Sequence, residues 1–561
     1  MFANSDPTPA IALRPPSQVM RLSRLGAFHQ TRLSFMRILL RRLLREGWQM
    51  SRPLFDIDVR GVGRAVYTFQ GPERAYSLVA FGHDLPPEQR SDRVIATAWD
   101  ATFTLFDGVP GAADLARLAR NVPLQEAGRV TPSELTVARA NRSVRLFDHV
   151  VDCLAGGRQP DRTQVDSVGY LMRTTAVYGS GKLGAADRED LAQRPECAAP
   201  FQVEMLTVYL IRSFVMDLVE HMAALRGPGA VKLAPELRHR FGIGNSTGLG
   251  MAPFLLNHPM LLNNWIAARE TALSRVRGIP LADPAAIAVL RDRAHRARQN
   301  WREWRSDHPG QRAQLARLDT DLLLLERHLA QCDLTVFHPW DALWRWGEAN
   351  LGEEGQELLL SLVLEPHGAL IDDLETAMSA DEAMAFRIDG AMTVAQLRAL
   401  ILAHYDWALG IDWSTREAQA RVWYTSAEKQ EPRLGERFDE PIAAYEQPLS
   451  PARDVVRLFS DLERYDNTEP VAKLLLAQPE HRHILRRVQI VARYPYGEIN
   501  DNTIAAEMRP IDMLRAKLSF FGAGHFDPRS DRWVRINMFR NAPFPDEPGR
   551  DASGWSYPPL P

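Results

Sequence analysis

Cysteine and lysine are both scarce in this 561-residue chain, and their scarcity excludes several classes of site. The three cysteines, Cys153, Cys197 and Cys332, are too few and too widely spaced for a disulfide framework. No Cys-x-x-Cys pair exists, which excludes a thiolate zinc site of the usual spacing. Few cysteines fit a reducing compartment, and no charged start followed by an apolar run opens the chain. We therefore predict a cytoplasmic protein.

An excess of charge of one sign is also lacking. The chain has 67 basic and 70 acidic residues, a net charge of -3, and the two signs are interleaved almost everywhere. This balance argues against nucleic acid or an anionic membrane as a partner. Only five of the basic residues are lysine, so each lysine is a candidate for a position that requires a compact ammonium group. The zincin pattern HExxH and the nucleophile elbow GxSxG are absent.

In other respects the composition is that of an ordinary globular protein, with 45% hydrophobic and 24% charged residues. A chain of this length exceeds what one hydrophobic core can organise, so we expect two to four subdomains. The sequence predicts a mainly α protein with a small antiparallel β-sheet (α+β), an N-terminal β-meander and a large helical region. The expected segments are a disordered tail at 1–17, a basic amphipathic helix at 18–50, an antiparallel β-meander at 51–110, a helical core with two Gly-rich loops at 111–270, a helical subdomain at 271–435 and a mixed C-terminal region at 436–561.

Hydrophobic periodicity supports these assignments. Apolar and polar residues alternate in several short runs between 54 and 108, with turn residues between them, which is typical of an antiparallel meander. Helical spacing dominates afterwards, and we expect helices at 132–155 and 201–226 and a helical hairpin formed by 284–306 and 311–331. Glu204 and Arg212 interrupt the apolar surface of the helix at 201–226, and we interpret Arg212 as part of a structural ion pair with a neighbouring helix.

The N-terminal helix carries leucines on one face and arginines on the other. Such a helix docks on its own domain or on a sister subunit, and the second possibility leads us to expect a homo-oligomer. Adsorption to a membrane surface is a lesser alternative, because no second anchoring signal accompanies the helix. We predict no membrane span, since the long charge-free stretch after Arg240 contains glycines, prolines and asparagines that would leave backbone groups unpaired in lipid.

The first of two glycine-rich segments runs from Arg173 to Gly184. Gly179, Gly181 and Gly184 form the pattern GxGxxG, but polar residues and a proline follow where a dinucleotide-binding fold requires a helix. Ala176 stands where a Walker loop requires glycine. We therefore keep nucleotide or flavin binding at this segment as an alternative only.

The first segment nevertheless suits a small anion. Glycines allow backbone N–H groups to approach a ligand closely. Side-chain donors accompany them at Arg173, Thr174, Thr175, Ser180 and Lys182. The alternative is a tight loop whose lysine is simply solvated.

The second glycine-rich segment lies between Arg240 and Arg269, where His258 is the only titratable basic group and no acidic residue occurs. A helix is expected to begin near Met251 or near Pro259. A glycine-rich loop that leads into a helix N-terminus concentrates N–H donors and partial positive charge, which suits phosphate or carboxylate. The alternative is a buried crossover whose glycines permit close packing. The glycines at 242, 244, 248 and 250 surround the small donors Asn245, Ser246 and Thr247.

These observations lead to an enzyme of small-molecule metabolism that acts on a modest-sized carboxylate or phosphate. Lys182 and Tyr178 are the expected proton-transfer groups, provided that burial lowers the pKa of the lysine, and His258 is a reserve candidate. The expected substrate-binding residues are Arg173, Gly179, Ser180, Gly181, Asn245, Ser246 and Thr247. No set of metal ligands is recognisable, and the cofactor is unknown. The rival hypothesis is a non-catalytic scaffold protein that uses the N-terminal helix and the helical hairpin to hold a partner.

Overall fold

A computed structural model describes residues 11–90, 98–125, 129–178, 191, 193–245, 258–302, 309–378, 386–415, 424–425, 432–433, 451–500, 515, 517–523, 525–527, 535–547 and 555. The chain divides into two compact units, each built from segments that are far apart in sequence. The sheet unit contains Phe28–Gly248, Ile287–Gln331 and Lys517–Pro561. The helical unit contains Met1–Ala27, Leu249–Ala286 and Cys332–Ala516.

The strands are named in chain order. They are β1 (Gln49–Ile57), β2 (Gly63–Gln70), β3 (Ala75–Gly82), β4 (Ala101–Asp107), β5 (Glu134–Arg142), β6 (Tyr170–Tyr178), β7 (Gly242–Asn245), β8 (Tyr424–Thr425), β9 (Pro432–Arg433), β10 (His525–Asp527) and β11 (Arg535–Met538).

The α-helices are named in the same way. They are α1 (Pro16–Val19), α2 (Phe35–Arg45), α3 (Ala112–Asn121), α4 (Phe147–Ala155), α5 (Arg162–Val168), α6 (Gln202–Arg226), α7 (Pro235–Arg240), α8 (Pro259–Arg277), α9 (Pro284–Arg302), α10 (Pro309–Gln331), α11 (Pro339–Asn350), α12 (Glu353–Leu364), α13 (Gly368–Ile371), α14 (Val394–Leu409), α15 (Pro451–Asp461), α16 (Val471–Ala477) and α17 (Arg482–Arg493).

A single mixed sheet forms the frame of the sheet unit. Its strand order is β1-β2-β3-β4-β5-β6-β7-β11-β10, and it curls into a half-barrel. Strands β1 to β6 follow one another as an antiparallel meander, β6 and β7 pair in parallel, and β11 and β10 return antiparallel. The prediction of a small antiparallel sheet was therefore wrong, whereas the expectation of a mainly helical chain is confirmed.

The error arose from strands outside the expected meander. The helix expected at 132–155 begins only at Phe147, because 134–142 forms β5 and pairs with strands on both sides. The segments 170–178 and 242–245 are strands as well. Each of these strands is paired with a strand on both sides, so local helical propensity does not decide their structure.

Helices cover both faces of the central strands. On one face, the ring of Phe214 on α6 packs against Tyr67 and Phe103, at centroid distances of 6.4 and 5.4 Å. On the other face, Leu118 of α3 and Val122 pack with apolar residues of β2, β3 and β4. Burial on both faces explains why β3 contains consecutive apolar residues at 78–81.

The long helix α6 places Arg212 in the core of the sheet unit, fully shielded from solvent. Its guanidinium donates hydrogen bonds to the backbone carbonyls of Phe241, Ala542 and His239 at 2.8, 2.8 and 3.3 Å. The ring of Phe544 stacks on it at 3.7 Å. Among the described residues Arg212 is thus held by carbonyl oxygens rather than by the ion pair that the sequence suggested.

The N-terminal basic helix is shorter than the sequence predicted, since α2 covers only Phe35–Arg45. Six of its seven apolar residues are buried in the sheet unit, Leu44 being the exception, and even Arg37 is fully buried. Phe35 contacts Phe201, with the ring centroids 5.2 Å apart, and its carbonyl accepts a hydrogen bond from Gln202 at 3.2 Å. The chain itself therefore covers the apolar face of this helix.

The helical unit contains a core formed by α14, α15, α16 and α17. Helix α14 begins with a capping box in which the Thr393 hydroxyl accepts from the Gln396 N–H at 3.2 Å and the Gln396 amide oxygen accepts from the Thr393 N–H at 2.9 Å. Tyr405 on α14 donates to Glu498 at 2.9 Å, and Arg487 on α17 forms a bidentate ion pair with the same carboxylate. These buried polar contacts tie the segment after α17 to the core.

A second buried charge cluster joins the N-terminal segment to α8 and α12 of the helical unit. Arg14 donates to both oxygens of Glu270 at 2.7 and 2.8 Å and to Glu357 at 2.8 Å. Arg269 and Arg24 also lie within 3.2 Å of Glu357. The sequence suggested that the tail at 1–17 is disordered, but its part at 11–17 is held by the contacts of Arg14. Residues 1–10 lie outside the described residues.

In the part of the chain that the structure describes, no helix has both the length and the apolar character needed to cross a membrane.

Candidate functional site

The parallel pair β6 and β7 brings together the strands that precede the two glycine-rich segments. Arg173 of β6 lies opposite Gly244 of β7, and Thr174 lies opposite Asn245. This is the one parallel pair among the described strands. Because carboxyl ends of parallel strands meet at the same edge of a sheet, both glycine-rich segments leave from the same edge.

The described parts of the two strands reach different levels along that edge. Strand β7 is described up to Asn245, whereas β6 is described for four more residues, or about 13 Å, and is paired with β5 up to Tyr178 opposite Val137. On the other side of β7, Ile536 of β11 lies opposite Asn245. We call the part of the sheet edge formed by residues 175–178 of β6, by Asn245 and by the start of β11 the notch.

Backbone groups line one wall of the notch. On the side of β7, residues 175–178 have no ladder partner among the strands that the structure describes. Backbone N–H and C=O groups away from water require partners, which can be other chain segments, water or a ligand.

Polar side chains lie at the base of the notch. Thr174 is fully buried, its hydroxyl donates to the Gly244 carbonyl at 3.3 Å, and it accepts from the Asn245 amide at 3.4 Å. Arg173 is only 2% exposed. A guanidinium shielded to this degree requires compensation, and Arg173 is not without an interaction partner. The base thus combines one buried cation with small hydrogen-bonding groups.

The expected site residues fall into three groups. The first group is brought together at the β6–β7 pair and consists of Arg173 and Asn245. The second consists of His258, which is half-buried at the N-terminus of α8 in the helical unit. The third comprises Gly179, Ser180, Gly181, Lys182, Ser246 and Thr247, which lie outside the described residues, and Tyr178, for which only the backbone at the end of β6 is described.

Two glycines of the second segment have a packing role instead of a loop role. Gly242 and Gly244 lie within β7, so the first part of the expected loop is a strand, and residues 246–257 lie outside the described residues. A Cβ at Gly242 would lie 2.4 Å from the carbonyl oxygen of Met538, and one at Gly244 would lie 2.8 Å from the Tyr170 ring. For these two positions the packing alternative is the correct one, because any side chain would collide with a neighbouring strand.

A polar cluster at the opposite edge of the sheet escaped sequence analysis. The Asp100 carboxylate accepts from Arg90 at 2.8 Å and from the backbone N–H of Arg142 at 2.9 Å. Nearby, a ring nitrogen of His83 lies 2.8 Å from the Thr102 hydroxyl, and burial lowers the pKa of this histidine. Asp100 is only 1% exposed. The cluster joins the ends of β3, β4 and β5, and its residues are too scattered in sequence to form a motif.

Among the described residues, no three histidine, cysteine, aspartate or glutamate side chains are grouped closely enough to hold a metal ion.

Comparison with known proteins supplies no relative from which a function could be transferred. No protein-family model matches the chain, and neither a curated protein nor a solved structure is significantly similar to it. The assignment of a function therefore depends on the geometry of the notch.

Proposed function

We propose that the notch binds a small anion and that the protein is an enzyme of small-molecule metabolism whose substrate carries a carboxylate or a phosphate. The observation that carries the proposal is the parallel pairing of β6 with β7, which directs both glycine-rich segments to one edge of the sheet. In open sheets that contain parallel strands, ligands bind in the crevice beyond the carboxyl ends of those strands.

The chemistry of the surrounding residues is consistent with an anion. Arg173 supplies a buried positive charge beside the end of β7, and Asn245 and Thr174 supply neutral hydrogen-bonding groups. A charge-assisted hydrogen bond in a shielded site is roughly twice as strong as a neutral one. Arg173 would therefore contribute affinity, and the amide of Asn245 would contribute orientation.

The proposed roles of the remaining residues follow from their positions in the chain. Lys182 and Tyr178 are the proposed proton-transfer groups, and Lys182 also neutralises substrate charge. His258 remains a reserve candidate for proton transfer. Binding through backbone or side-chain donors is assigned to Gly179, Ser180, Gly181, Ser246 and Thr247.

Thermal unfolding with a panel of small molecules tests this proposal. The panel contains inorganic phosphate, pyrophosphate, acetate, succinate, ATP, NAD and FMN. A compound present at about 100 times its dissociation constant stabilises the folded state by about 2.7 kcal/mol. The sheet unit contains about 310 residues, and at about 2.1 cal/mol/K of unfolding entropy per residue this corresponds to a rise in Tm of roughly 4 °C. A rise with one chemical class identifies the substrate class, and a rise confined to ATP, NAD or FMN would favour nucleotide or flavin binding instead.

Three variants make the test specific to the site. Lys182→Ala should reduce the ligand-induced rise, and Lys232→Ala is the matched control because Lys232 is an exposed lysine of the same unit. Asn245→Asp should abolish binding, since a carboxylate at the base of the notch repels an anion. If no compound raises the Tm of the natural protein, or if Lys182→Ala and Asn245→Asp respond like Lys232→Ala, the proposal is wrong.

A further inference from the structure

A single carboxylate joins three strands at the edge of the sheet opposite the notch, where β6 and β7 begin and β11 ends. The two oxygens of Asp166, which lies four residues before β6, accept hydrogen bonds from Nη1 of Arg240 at 2.7 and 2.8 Å. Arg240 lies two residues before β7. One of the oxygens also accepts from Arg540, two residues after β11, at 2.7 Å. We call Asp166, Arg240 and Arg540 the clamp.

The backbone around Arg540 does not take its position by local preference. Phe539 and Asn541, the residues on either side, have φ values of 58° and 64°, in the left-handed region that residues other than glycine rarely occupy. Contacts with the rest of the fold must hold such a conformation in place. The clamp supplies one of them, and it is well shielded, since Arg540 and Arg240 are 6% and 8% exposed. Both arginines reach the carboxylate through charge-assisted hydrogen bonds, which are stronger than neutral ones.

Strand β7 needs an external restraint because its own sequence specifies its register weakly. Two of its four residues are glycine, and glycine-rich strands are prone to slip against their neighbours. Its pairing with β11 is regular, from Ile243 opposite Met538 to Asn245 opposite Ile536. Contacts that align the start of β7 with the end of β11 therefore also set the level at which Asn245 lies. The pairing with β6 does not do so alone, because β6 has one extra residue within 170–173 relative to β7.

We infer that Asp166 is a positioning residue for the notch, because by holding Arg240 and Arg540 it sets the register that places Asn245 opposite Thr174. A shift of β7 by one residue would turn Asn245 to the other face of the sheet. Its amide would then lose the hydrogen bond that it donates to the Thr174 hydroxyl. The role of Asp166 in the register is independent of the proposed function, whereas its consequence for anion binding rests on that function.

Hydrogen exchange of the full-length protein, followed by mass spectrometry, measures this restraint. Asp166→Asn keeps the shape of the side chain but removes its charge, and exchange of the β7 and β11 amides should become about tenfold faster, the factor that corresponds to about 1.4 kcal/mol. The amides of β2 and β3 should keep their natural rates, because the opening is local. Asp217→Asn is the matched control. The Asp217 side chain is 24% exposed, against 25% for Asp166, and it accepts hydrogen bonds from Arg52 of β1 and Tyr67 of β2.

Two further variants separate loss of the restraint from general damage. Asp166→Glu keeps the charge and should restore slower exchange of the β7 amides in part. Arg240→Lys keeps the positive charge but replaces the planar guanidinium by an ammonium group on a flexible stem. It provides the measurement if Asp166→Asn does not fold, with Arg52→Lys as its control. Equal exchange rates of the β7 and β11 amides in Asp166→Asn and Asp217→Asn, or in the two lysine variants where these are used, would overturn the inference.

Titration with inorganic phosphate and, in parallel, with acetate tests whether the restraint serves the notch. The rise in Tm of each variant is referred to the Tm of that variant without ligand, so that general destabilisation does not contribute. Asp166→Asn should require about tenfold more anion for the same rise, whereas Asp217→Asn should require as much as the natural protein. If the natural protein responds and Asp166→Asn responds equally, Asp166 does not position the notch and the inference is wrong. If neither anion raises the Tm of the natural protein, the proposed function fails, while the exchange rates still decide whether Asp166 holds the register.

Discussion

Replacing Arg14 by methionine tests how the N-terminal segment is attached to the helical unit. Methionine keeps much of the aliphatic length of arginine but removes its four hydrogen bonds to Glu270 and Glu357. All three side chains are at most 3% exposed, so the two carboxylates cannot be rehydrated without local opening. The substitution therefore leaves buried negative charge with less compensation.

The expected magnitude follows from the geometry of the cluster. Removing one partner of a buried ion pair costs about 3–5 kcal/mol. Arg269 remains 2.8 Å from Glu270 and 3.2 Å from Glu357, so part of the compensation persists and we expect the lower end, about 3 kcal/mol. The transition of the helical unit should then shift to lower temperature by roughly 6–12 °C.

Differential scanning calorimetry of the full chain measures this shift, and Arg21→Met is the control from the same segment. Arg21 lies 3.5 Å from Glu353, but both side chains are substantially exposed, so this pair should contribute at most about 1 kcal/mol. Adding Glu357→Gln to Arg14→Met should lower stability further, because Arg24 and Arg269 then lose a carboxylate partner. If Arg14→Met destabilises no more than Arg21→Met, the cluster does not hold the segment as described.

Two further predictions concern acid stability and strand packing. Although burial acts to raise the pKa of Glu357, Arg14 and Arg269 outweigh it and lower that pKa, so the folded state binds fewer protons than the unfolded state. Stability should therefore fall as the pH decreases below about 4.5, the ordinary pKa of a glutamate, and a denaturation series in urea should show a flatter pH dependence for Arg14→Met. Equal slopes for both proteins would contradict this assignment. Gly244→Ala should cost about 1–3 kcal/mol in the same urea assay because the new methyl group overlaps the Tyr170 ring, whereas Gly229→Ala, which meets open space, should be nearly neutral. A similar cost for both substitutions would mean that β7 does not pack as closely as observed.

Local sequence patterns predicted the strands whose partners are adjacent in the chain. Strands β2, β3 and β4 contain the β-branched and aromatic residues typical of strands, and a short turn connects β2 to β3. Strand β5 was mistaken for a helix because its alanine, glutamate and arginine residues favour helices in isolation. Pairing with β4 and β6 outweighs that preference.

Strand β7 could not be predicted, because the residues that stabilise it are remote. Two of its four residues are glycine, which weakens an isolated strand. The strand forms because β6 and β11 flank it and because Met538 and Tyr170 leave no room for side chains. The choice of Arg173 and Asn245 as site residues came from their chemistry, but their adjacency depends on a register that no local pattern encodes.

A pattern in the sequence indicates the buried charge cluster around Arg14 and Glu357, but sequence analysis overlooked it. Between Arg345 and Arg387 the chain contains ten acidic residues and no lysine or arginine, although the whole sequence is almost neutral. Such a stretch requires basic partners from elsewhere if it is to be buried. Arg14 and Arg24 supply them from the N-terminal segment.

The interleaving of the two units has a consequence for the order in which the protein can fold during synthesis. Strand β7 acquires its second neighbour, β11, only about 290 residues later in the chain. At 5–20 residues per second, the ribosome needs roughly 15 to 60 s to supply it. During that interval the edge of β7 is an unpaired strand next to an incomplete core, the kind of surface that promotes misassembly and chaperone capture. We therefore expect neither unit to complete its fold before nearly the whole chain has left the ribosome, and a chain that terminates before β11 should be retained by chaperones or degraded.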